Sequence, residues 1–312
     1  MRSDSVATSI IDVIGDTPCL DLHRTVARHG VDGRILLKLE YLNPGFSKKD
    51  RIALEMVRDA KADGRLRDGQ IVVELTSGNT GTGLAIVCAA LGHPFVAVMS
   101  TGNSVERARM MRAFGAEVVL VDQAPGSRHG EVSGEDLALV DSRARELVAE
   151  RHAFRADQFS LASSALAHER HTGPELWAQA GGALDAFVDF VGSAGSFAGI
   201  ARFLKRVNPG AHCYLLEPTS PNHRIQGGGY SMPDLPLLDD RLVDDRLVID
   251  DDVAIACARE LARVEGVFAG FSTGANVAAA LRLLDGPERG RTIGALACDS
   301  GLKYLSTDLW PE

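Results

Sequence analysis

The chain has 312 residues, of which 45% are hydrophobic and 24% are charged, so it has enough apolar sequence for a full core and is long enough for two compact lobes. Its 33 basic and 42 acidic side chains give a formal net charge of -9, which is the wrong sign for a protein whose main partner is a nucleic acid or an anionic membrane. The apolar runs all fall short of the roughly 18 residues that a membrane-spanning helix needs, and we therefore expect a cytoplasmic protein.

The positions of cysteine and histidine argue against a metal site. The five cysteines lie far apart and form no Cys-x-x-Cys pair, and none of the nine histidines belongs to a His-Glu-x-x-His sequence. Zinc sites and dithiol redox centres depend on such close pairs. We therefore predict no metal ion and interpret the cysteines as buried thiols.

Apolar runs alternate with longer amphipathic stretches along the chain, a pattern typical of parallel sheets covered by helices on both faces. The predicted strands cover residues 35–40, 71–75, 95–99, 117–121, 186–191, 213–217 and 292–298. The predicted helices cover residues 51–63, 80–91, 105–114, 137–151, 197–207, 252–265 and 275–284. We predict a surface loop at residues 122–136. The stretch 219–247 is long enough to favour a functional loop over a simple connection.

The first candidate for chemistry is the stretch 43–51, Asn-Pro-Gly-Phe-Ser-Lys-Lys-Asp-Arg, which is typical of a turn that runs into a helix. The chain contains only six lysines against 27 arginines, so the adjacent pair Lys48 and Lys49 stands out. A lysine that is desolvated near the positive end of a helix has a lowered pKa, and its amine can act as a nucleophile. The alternative interpretation is a solvated basic pair, which is the usual state of lysine.

Three further stretches place small and hydroxyl-bearing residues just after predicted strands. Residues 76–81 (Thr-Ser-Gly-Asn-Thr-Gly) and 192–196 (Gly-Ser-Ala-Gly-Ser) each open a helix, where free backbone N–H groups suit a carboxylate or a phosphate. Residues 298–301 follow the last strand, and ligands of α/β sheets gather at such ends. Each stretch also has a purely structural interpretation, as a helix cap or a tight turn. The loop at 192–196 is neither the dinucleotide fingerprint nor a Walker A sequence.

Taken together and in this order, these segments resemble the cysteine synthase family of fold type II pyridoxal-phosphate (PLP) enzymes, which includes O-acetylserine sulfhydrylase, O-phosphoserine sulfhydrylase and cystathionine β-synthase. The matching stretches are residues 15–18, 43–51, 76–81, 172–175, 192–196, 270–275, 300 and 304–307. The resemblance implies a fold like that of tryptophan synthase β, with PLP in the cleft between two αβα lobes with parallel sheets. The smaller lobe would contain residues 43–159 and the larger one residues 1–42 and 160–312, and the protein would form a homodimer.

The resemblance also implies a role for individual residues of this chain. Lys49 matches the lysine that forms the Schiff base with PLP, and Asn79 matches the residue that binds the ring hydroxyl. The phosphate-binding loop would consist of Gly192, Ser193, Ala194, Gly195 and Ser196. The substrate carboxylate would be bound by Thr76, Ser77, Gly78, Asn79, Thr80 and Gln158. Ser300 would face the ring nitrogen, and its neutral hydroxyl would leave the cofactor a weaker electron sink than a carboxylate would, which suits β-elimination.

Departures from the family pattern concern the phosphate loop and the substrate. Ala194 stands where relatives commonly have glycine, which adds one methyl group to the loop. Residues 160–164 replace an Asn/Pro-rich segment, and residues 122–136 lack the usual lysine. Arg224 lies in the stretch 223–227, which resembles the loop over the active-site entrance. It would favour a phosphorylated or otherwise anionic donor if it faced the site, and it is otherwise a surface arginine.

The resemblance implies a β-replacement enzyme that converts an activated L-serine, such as O-acetylserine or O-phosphoserine, through an aminoacrylate to cysteine or a related β-substituted alanine. Its partners would be small molecules, namely the amino-acid substrate and a sulfide, a thiol or another nucleophile. With another nucleophile, the protein would be a cystathionine β-synthase-like or diaminopropionate-type synthase. A second possibility is an ammonia-lyase that acts on serine, threonine or hydroxyaspartate. A third is a non-catalytic binding protein, against which the presence of Lys49, Asn79 and Ser300 argues.

Overall fold

The computed structural model describes residues 6–76, 78–127, 132–220, 223–226, 228 and 234–310. Their strands are β1 (Cys19–Asp21), β2 (Arg34–Lys38), β3 (Val72–Leu75), β4 (Phe95–Ser100), β5 (Glu117–Val121), β6 (Phe154–Arg155), β7 (Ala186–Phe190), β8 (His212–Pro218), β9 (Asp245–Ile249) and β10 (Thr292–Leu296). Their α-helices are α1 (His23–His29), α2 (Lys49–Ala62), α3 (Asn79–Leu91), α4 (Val105–Ala113), α5 (Gly134–Arg151), α6 (Ser163–Ala167), α7 (Gly173–Gln179), α8 (Gly195–Val207), α9 (Asp251–Val264) and α10 (Phe271–Leu284). A π-helical turn, His168–Thr172, joins α6 to α7.

The strands form two sheets. The larger has six strands in the order β1-β2-β10-β7-β8-β9, and the smaller has four in the order β5-β4-β3-β6. Neighbouring strands are parallel, except that β1 runs antiparallel to β2. This arrangement confirms the predicted α/β class with two parallel-sheet units. The boundaries of the two lobes, after residues 42 and 159, remain a prediction.

Burial explains why the apolar runs of the sequence become central strands. Every residue of β3, β4 and β7 is buried, as expected for strands with both faces covered. The edge strands β5 and β9 instead expose part of their residues. The helices turn one apolar face toward a sheet, and in α8 the fully buried residues Phe197, Ile200 and Leu204 follow one another at helical spacing.

The predicted helices and strands are confirmed, with ends that shift by four residues or fewer. The sequence missed β1, β6, α1, α6 and α7, because elements this short carry no clear periodic pattern. The predicted loop 219–247 was wrong at its end, where Asp245–Ile249 pairs with β8; this edge strand exposes three of its five residues and so lacks an apolar run. The loop 122–136 was also too long, since α5 begins at Gly134. Parts of both loops lie outside the described residues, namely 128–131, 221, 222, 227 and 229–233.

The fold brings the chemistry-bearing stretches of the sequence to one place. Thr76 follows β3, Gly192 follows β7 and Cys298 follows β10. The start of α2 is joined to the end of β10, because the N–H of Lys48 donates to the carbonyl of Cys298 at 2.9 Å. The ends of strands from both sheets therefore meet the helix that carries the two adjacent lysines. No helix in the described part of the chain is long and apolar enough to cross a membrane.

Candidate active site

A cavity lies where the ends of β7 and β10 meet the starts of α2, α3 and α10. The predicted site residues that border it are Lys49, Asn79, Gly192, Ser193 and Ser196. Other residues of its wall were not among the predicted site residues, namely Lys48, Phe190, Gln226, Gly228, Ser272, Cys298 and Asp299.

Lys48 forms a buried ion pair at one side of this cavity. Its Nζ donates to the two carboxylate oxygens of Asp189, at 2.9 and 3.0 Å, and to the hydroxyl of Ser196 at 2.9 Å. Lys48 is 8% exposed and Asp189 is fully buried. Burial by itself lowers the pKa of Lys48, but the adjacent Asp189 carboxylate more than offsets burial and raises this pKa above its ordinary value. Lys48 is therefore a permanent ammonium group near neutral pH.

Lys49, the next residue, has the opposite electrostatic character. Its Nζ donates to the hydroxyl of Ser193 at 3.2 Å. Burial, reinforced by the charge of Lys48, lowers the pKa of Lys49 to about 8. At physiological pH a fraction of the protein molecules therefore carries Lys49 as a neutral amine, which has the lone pair that a nucleophile requires. Of the two lysines, Lys49 is thus the one suited to covalent chemistry.

The loop 192–196 joins β7 to α8. Ala194 is the N-cap of α8 and has a φ of 62°, in the left-handed region that a Cβ disfavours. Gly195 lies so close to the chain that an added Cβ would be 3.0 Å from the backbone oxygen of Ser164. The first backbone N–H groups of α8 have no partner within the helix and lie at its positive end, which suits a phosphate group.

Asn79 begins α3 and is held by side chains from the segment after β10. Its Nδ2 donates to Asp299 at 2.7 Å, and its Oδ1 accepts from Lys303 at 2.6 Å. The hydroxyl of Tyr304 donates to the same oxygen of Asp299 at 2.5 Å. Because an amide carries two N–H donors, Asn79 has a second donor for a ligand in the cavity that it borders.

The loop between β3 and α3 brings several predicted substrate-binding residues together. The hydroxyl of Thr76 accepts from the N–H of Gly78 at 3.0 Å, and the hydroxyl of Thr80 donates to Gln158 Oε1 at 2.6 Å. These contacts keep polar groups of the loop next to Gln158. Ser77 lies outside the described residues.

Ser300, which the resemblance places at the ring nitrogen, caps a turn in the structure. Its hydroxyl accepts from the N–H of Leu302 at 3.3 Å and so caps the 3-10 turn Gly301–Tyr304. Within the described part of the chain, Ser300 does not border the cavity, whereas Ser272 in the first turn of α10 does. The sequence signal for Ser272 is the match of the stretch 270–275 to the family.

The environment of Arg224 favours its interpretation as a surface residue. Its guanidinium pairs with Asp252 and, at 2.6 Å, with Asp308, and its backbone N–H donates to Asp251 at 2.8 Å. Asp252 and Asp308 have exposed side chains, 84% and 53%. Arg224 is therefore bound to surface carboxylates.

Arg107 is a cation near the cavity that sequence reasoning missed. Its Nη2 donates to Gln226 Oε1 at 2.9 Å, and its guanidinium lies 5.4 Å from the centre of the Tyr304 ring. A Cβ at Gly78 would clash with the Arg107 side chain. Arg107 therefore places a positive charge directly beside the loop that is predicted to bind the substrate carboxylate.

A buried network of charges fixes the start of α2. Arg51 pairs with Glu40 and with Glu175, each at 2.7 Å, and Lys38 pairs with Glu175 at 2.7 Å. The hydroxyl of Thr17 donates to Glu40 at 2.7 Å. Three stretches that matched the family in sequence, 15–18, 43–51 and 172–175, thus meet in space, and the network holds in place the helix that carries the two cavity lysines.

These residues fit PLP, the cofactor that the resemblance implies. An aldehyde needs a neutral amine, which the lowered pKa of Lys49 provides. A ring hydroxyl needs a hydrogen-bond partner, which Asn79 offers, and a phosphate needs N–H donors, which the start of α8 offers. All three groups border one cavity.

Comparison with known proteins agrees with this geometry. Residues 10–299 match the family described as pyridoxal-phosphate dependent enzyme. The chain is 37% identical to a cysteine synthase of Staphylococcus aureus, over 97% of this chain and 96% of that protein. It is 38% identical to the O-ureido-L-serine synthase of Streptomyces lavendulae, over 97% of this chain and 92% of that protein. The crystal structure of O-acetyl serine sulfhydrylase isoform 3 from Entamoeba histolytica matches with a TM-score of 0.90 and 33% identity, over 99% of this chain and 93% of that chain.

Proposed function

The chain belongs to the family of pyridoxal-phosphate dependent enzymes of fold type II, and on that premise we propose that it is a β-replacement enzyme. It would exchange the β substituent of an activated L-serine for a sulfur nucleophile and so form cysteine or a closely related amino acid. The family membership confirms the resemblance found in the sequence, together with the fold and the dependence on PLP. The identity of the donor and of the nucleophile is part of the proposal.

The Lys49 amine is the observation that supports the proposal most directly. It borders the same cavity as Asn79 and the 192–196 loop, and its pKa is lowered to about 8. When bound, PLP withdraws electrons from the α carbon of an amino acid, which weakens the α C–H bond and allows a β substituent to depart. A site for this chemistry needs one amine that can both hold the cofactor and carry a proton.

Lys49 Nζ meets both requirements. As a neutral amine it is the group that would hold the cofactor, and once an amino acid has taken its place it is the base for the α proton. A pKa of about 8 lets Lys49 accept and release a proton near neutral pH, whereas Lys48 keeps its proton because of Asp189. The hydroxyl of Ser193, 3.2 Å from Lys49 Nζ, orients this amine toward the loop.

The remaining roles are those that the resemblance implies. Asn79 would bind the ring hydroxyl, and residues 192–196 would hold the phosphate. The substrate carboxylate would be bound by the loop from Thr76 to Thr80 with Gln158. Arg107, beside Gly78, adds a positive charge on this side of the cavity, which favours an anionic substrate group there.

We assign the contact with the ring nitrogen to Ser272 instead of Ser300. Ser272 borders the cavity, while the side chain of Ser300 caps a turn. A neutral hydroxyl does not favour protonation of the ring nitrogen as a carboxylate would, so it limits the electron withdrawal. That limit suits loss of a β substituent, which is the first half of a β replacement.

A second candidate function uses an oxygen nucleophile. The relative from Streptomyces lavendulae is named for O-ureido-L-serine and is 38% identical, a similarity close to that of the cysteine synthase, at 37%. In O-ureido-L-serine the β carbon carries an oxygen substituted with a ureido group. Both candidates share the donor half of the reaction and differ only in the nucleophile that enters the cavity.

The test mixes the PLP-loaded protein with O-acetyl-L-serine, O-phospho-L-serine or L-serine, each with sulfide, with hydroxyurea or with no nucleophile. Our proposal predicts cysteine from at least one donor when sulfide is present, with little ammonia or keto acid. O-ureido-L-serine as the main product would favour the second candidate. Ammonia and keto acid formed at the same rate with or without a nucleophile would indicate a lyase. No product from any donor would contradict β replacement.

Two variants control this test. Lys49→Ala should abolish product formation because it removes the amine. Lys61→Ala removes a lysine at the other end of the same helix, where Lys61 pairs with the exposed Asp68 at 2.7 Å, and should leave the activity unchanged. Equal loss in both variants would show that the effect of Lys49→Ala does not come from the cavity.

The assembly and location of the protein are also part of the proposal. The resemblance implies a homodimer, and Leu302 and Leu305, which are three residues apart after β10, are 57% and 62% exposed, so an apolar partner surface would cover them. Analytical ultracentrifugation distinguishes a dimer from a monomer. Cytoplasmic location remains the expectation stated from the sequence.

A further inference from the structure

We propose that Lys48 is a phosphate-binding residue of the cofactor site, a cation that the Asp189 carboxylate holds against the last residue of the 192–196 loop. The inference rests on the dependence on PLP and not on the proposed β replacement. It extends the phosphate site beyond the backbone N–H groups of a helix start. A failure of either proposal is therefore visible independently of the other.

A buried carboxylate fixes the position of the Lys48 ammonium group. The Asp189 carboxylate is fully buried and binds Lys48 Nζ through both oxygens, at 2.9 and 3.0 Å. Asn276 Nδ2 lies 3.4 Å from Asp189 Oδ1 and also donates to the carbonyl of Leu296 at 2.9 Å, so the carboxylate is itself anchored to β10. Lys48 borders the cavity, whereas Asp189 does not. The positive member of the pair thus stands between the cavity and the negative member.

The hydrogen bonds of Ser196 show which group at this corner can serve a phosphate. Its hydroxyl accepts from Lys48 Nζ at 2.9 Å, because an ammonium group has no lone pair. Its single proton therefore goes to Asp189 Oδ2, at 2.5 Å. The Ser196 side chain has no further proton to donate to a phosphate. The ammonium group has three N–H donors, and the two Asp189 oxygens and the Ser196 hydroxyl accept from it here. A phosphate oxygen would therefore take the donor that now serves Ser196.

Charge balance supports the same assignment. A phosphate monoester carries close to two negative charges at neutral pH, and without Lys48 the buried carboxylate of Asp189 would lie behind the loop without the counter-charge that pairs with it. With Lys48 in place, the pair presents its positive end to the cavity. The starts of α2 and α8, which carry Lys48 and Ser196, add their positive ends at the same corner. A phosphate ester bound by the 192–196 loop would therefore meet a cation in addition to backbone donors.

The test compares PLP with pyridoxal, which has the same ring and aldehyde but no phosphate. Full-length protein is freed of cofactor, and the dissociation constants of both compounds are measured by equilibrium dialysis. The main variant is Lys48→Met combined with Asp189→Asn, which removes both charges with little change in shape and leaves the net charge as it was. The matched control is Lys61→Met combined with Asp68→Asn, which removes a solvent-accessible Lys–Asp pair at the opposite end of α2.

We expect the double variant at positions 48 and 189 to raise the dissociation constant of PLP by about 10- to 100-fold, the range of one charge-assisted hydrogen bond. The constant for pyridoxal should change by less than about threefold. Competition by inorganic phosphate against PLP should weaken in parallel. The control pair should change none of these values.

An equal rise for PLP and pyridoxal would overturn the proposal, because it would show that the ion pair only supports the shape of the cavity. An unchanged constant for PLP would overturn it as well. If the double variant fails to fold, the same two dissociation constants are measured for the single variant Asp189→Asn, which keeps Lys48. The preference for PLP over pyridoxal must then stay at or above that of the parent protein, and its loss would overturn the assignment to Lys48.

Discussion

Lys48 and Lys49 are adjacent in sequence and border the same cavity, yet the structure makes one a permanent cation and the other a usable base. Lys48 Nζ lies 2.9 Å from the carboxylate of Asp189, while Lys49 Nζ lies 3.2 Å from the neutral hydroxyl of Ser193. The Asp189 carboxylate keeps Lys48 protonated, whereas burial lowers the pKa of Lys49. The charge of Lys48 also disfavours protonation of its neighbour, which adds to the effect of burial on Lys49.

The capture of PLP should therefore depend on pH through Lys49. Only the neutral amine attacks an aldehyde, so the rate of PLP capture by the cofactor-free protein should rise with pH and level off above about pH 8, the lowered pKa of Lys49. Stopped-flow absorbance of the bound cofactor measures this rate. A rate that still rises tenfold per pH unit above about pH 9 would mean that the amine keeps an ordinary lysine pKa.

The same shift predicts that Lys49 destabilises the cofactor-free protein. The pKa of Lys49 falls from 10.5 to about 8 on folding, so the folded state disfavours the charged amine. The cost is fully present below about pH 8, declines between the two values and vanishes above about pH 10.5. Lys49→Met should accordingly raise the free energy of unfolding by up to about 3 kcal/mol at neutral pH.

Urea unfolding at several pH values measures this gain. Lys61→Met is the control and should change stability by less than about 0.5 kcal/mol, because Lys61 is a surface residue. A gain that persists unchanged above about pH 10.5 would have another cause, since both states then carry a neutral amine.

Much of this fold could be predicted, because its central strands are buried on both faces and leave continuous apolar runs in the sequence. The loop at 192–196 and the adjacent pair Lys48 and Lys49 could be found for a related reason, since such a run ends or a helix begins there, whereas the choice of Lys49 came from the resemblance. The short strand β6 and the edge strand β9 could not be found, because two residues, or a mostly exposed strand, carry no such pattern.

The hydrogen-bond and ion-pair partners of the site residues could not be predicted from the sequence, for a different reason. Asp189 and Lys48 are 141 residues apart, and no local pattern in either stretch indicates that they pair. Asp189 even interrupts an otherwise apolar strand, an anomaly that indicates a buried partner without naming it. Ser272 was missed because α10 begins four residues before its predicted start, which brings this serine from a supposed connection into the first turn of a helix at the cavity.

Substitution of the two serines separates their roles. Ser272→Ala should alter the absorption spectrum of bound PLP and the rate of product formation, because it removes the hydroxyl assigned to the ring nitrogen. Ser300→Ala should leave the spectrum unchanged and lower the free energy of unfolding by about 1 kcal/mol, because it removes a cap. Absorption spectroscopy and urea unfolding of both variants check this. A spectral change in the Ser300 variant alone would restore the role that the resemblance implied.

Ala194 predicts a stabilising substitution within the phosphate loop. Its φ of 62° is unfavourable for a residue with a Cβ, so Ala194→Gly should raise the free energy of unfolding by about 1 kcal/mol. Ala201→Gly, in the regular part of the same helix, is the control and should lower it by at least about 1 kcal/mol. Calorimetry of the cofactor-free proteins measures both. A loss of stability in the Ala194 variant would show that its buried methyl group contributes more by packing than its backbone strain costs.

Arg51 should be the residue of α2 whose loss is most damaging to folding. Arg51→Met leaves Glu40, which is fully buried, without its main counter-charge. It also removes one of the two cations that pair with Glu175. Removal of one partner from a buried ion pair costs about 3–5 kcal/mol. Urea unfolding should show this loss, whereas Arg65→Met, which breaks an exposed ion pair with Asp63 just after α2, should cost less than about 1 kcal/mol. Because the network holds the start of α2, residual folded protein should also bind PLP more weakly.

An Arg51 variant with unchanged stability would mean that Lys38 alone can balance both carboxylates, and Lys38→Met should then become the more damaging change.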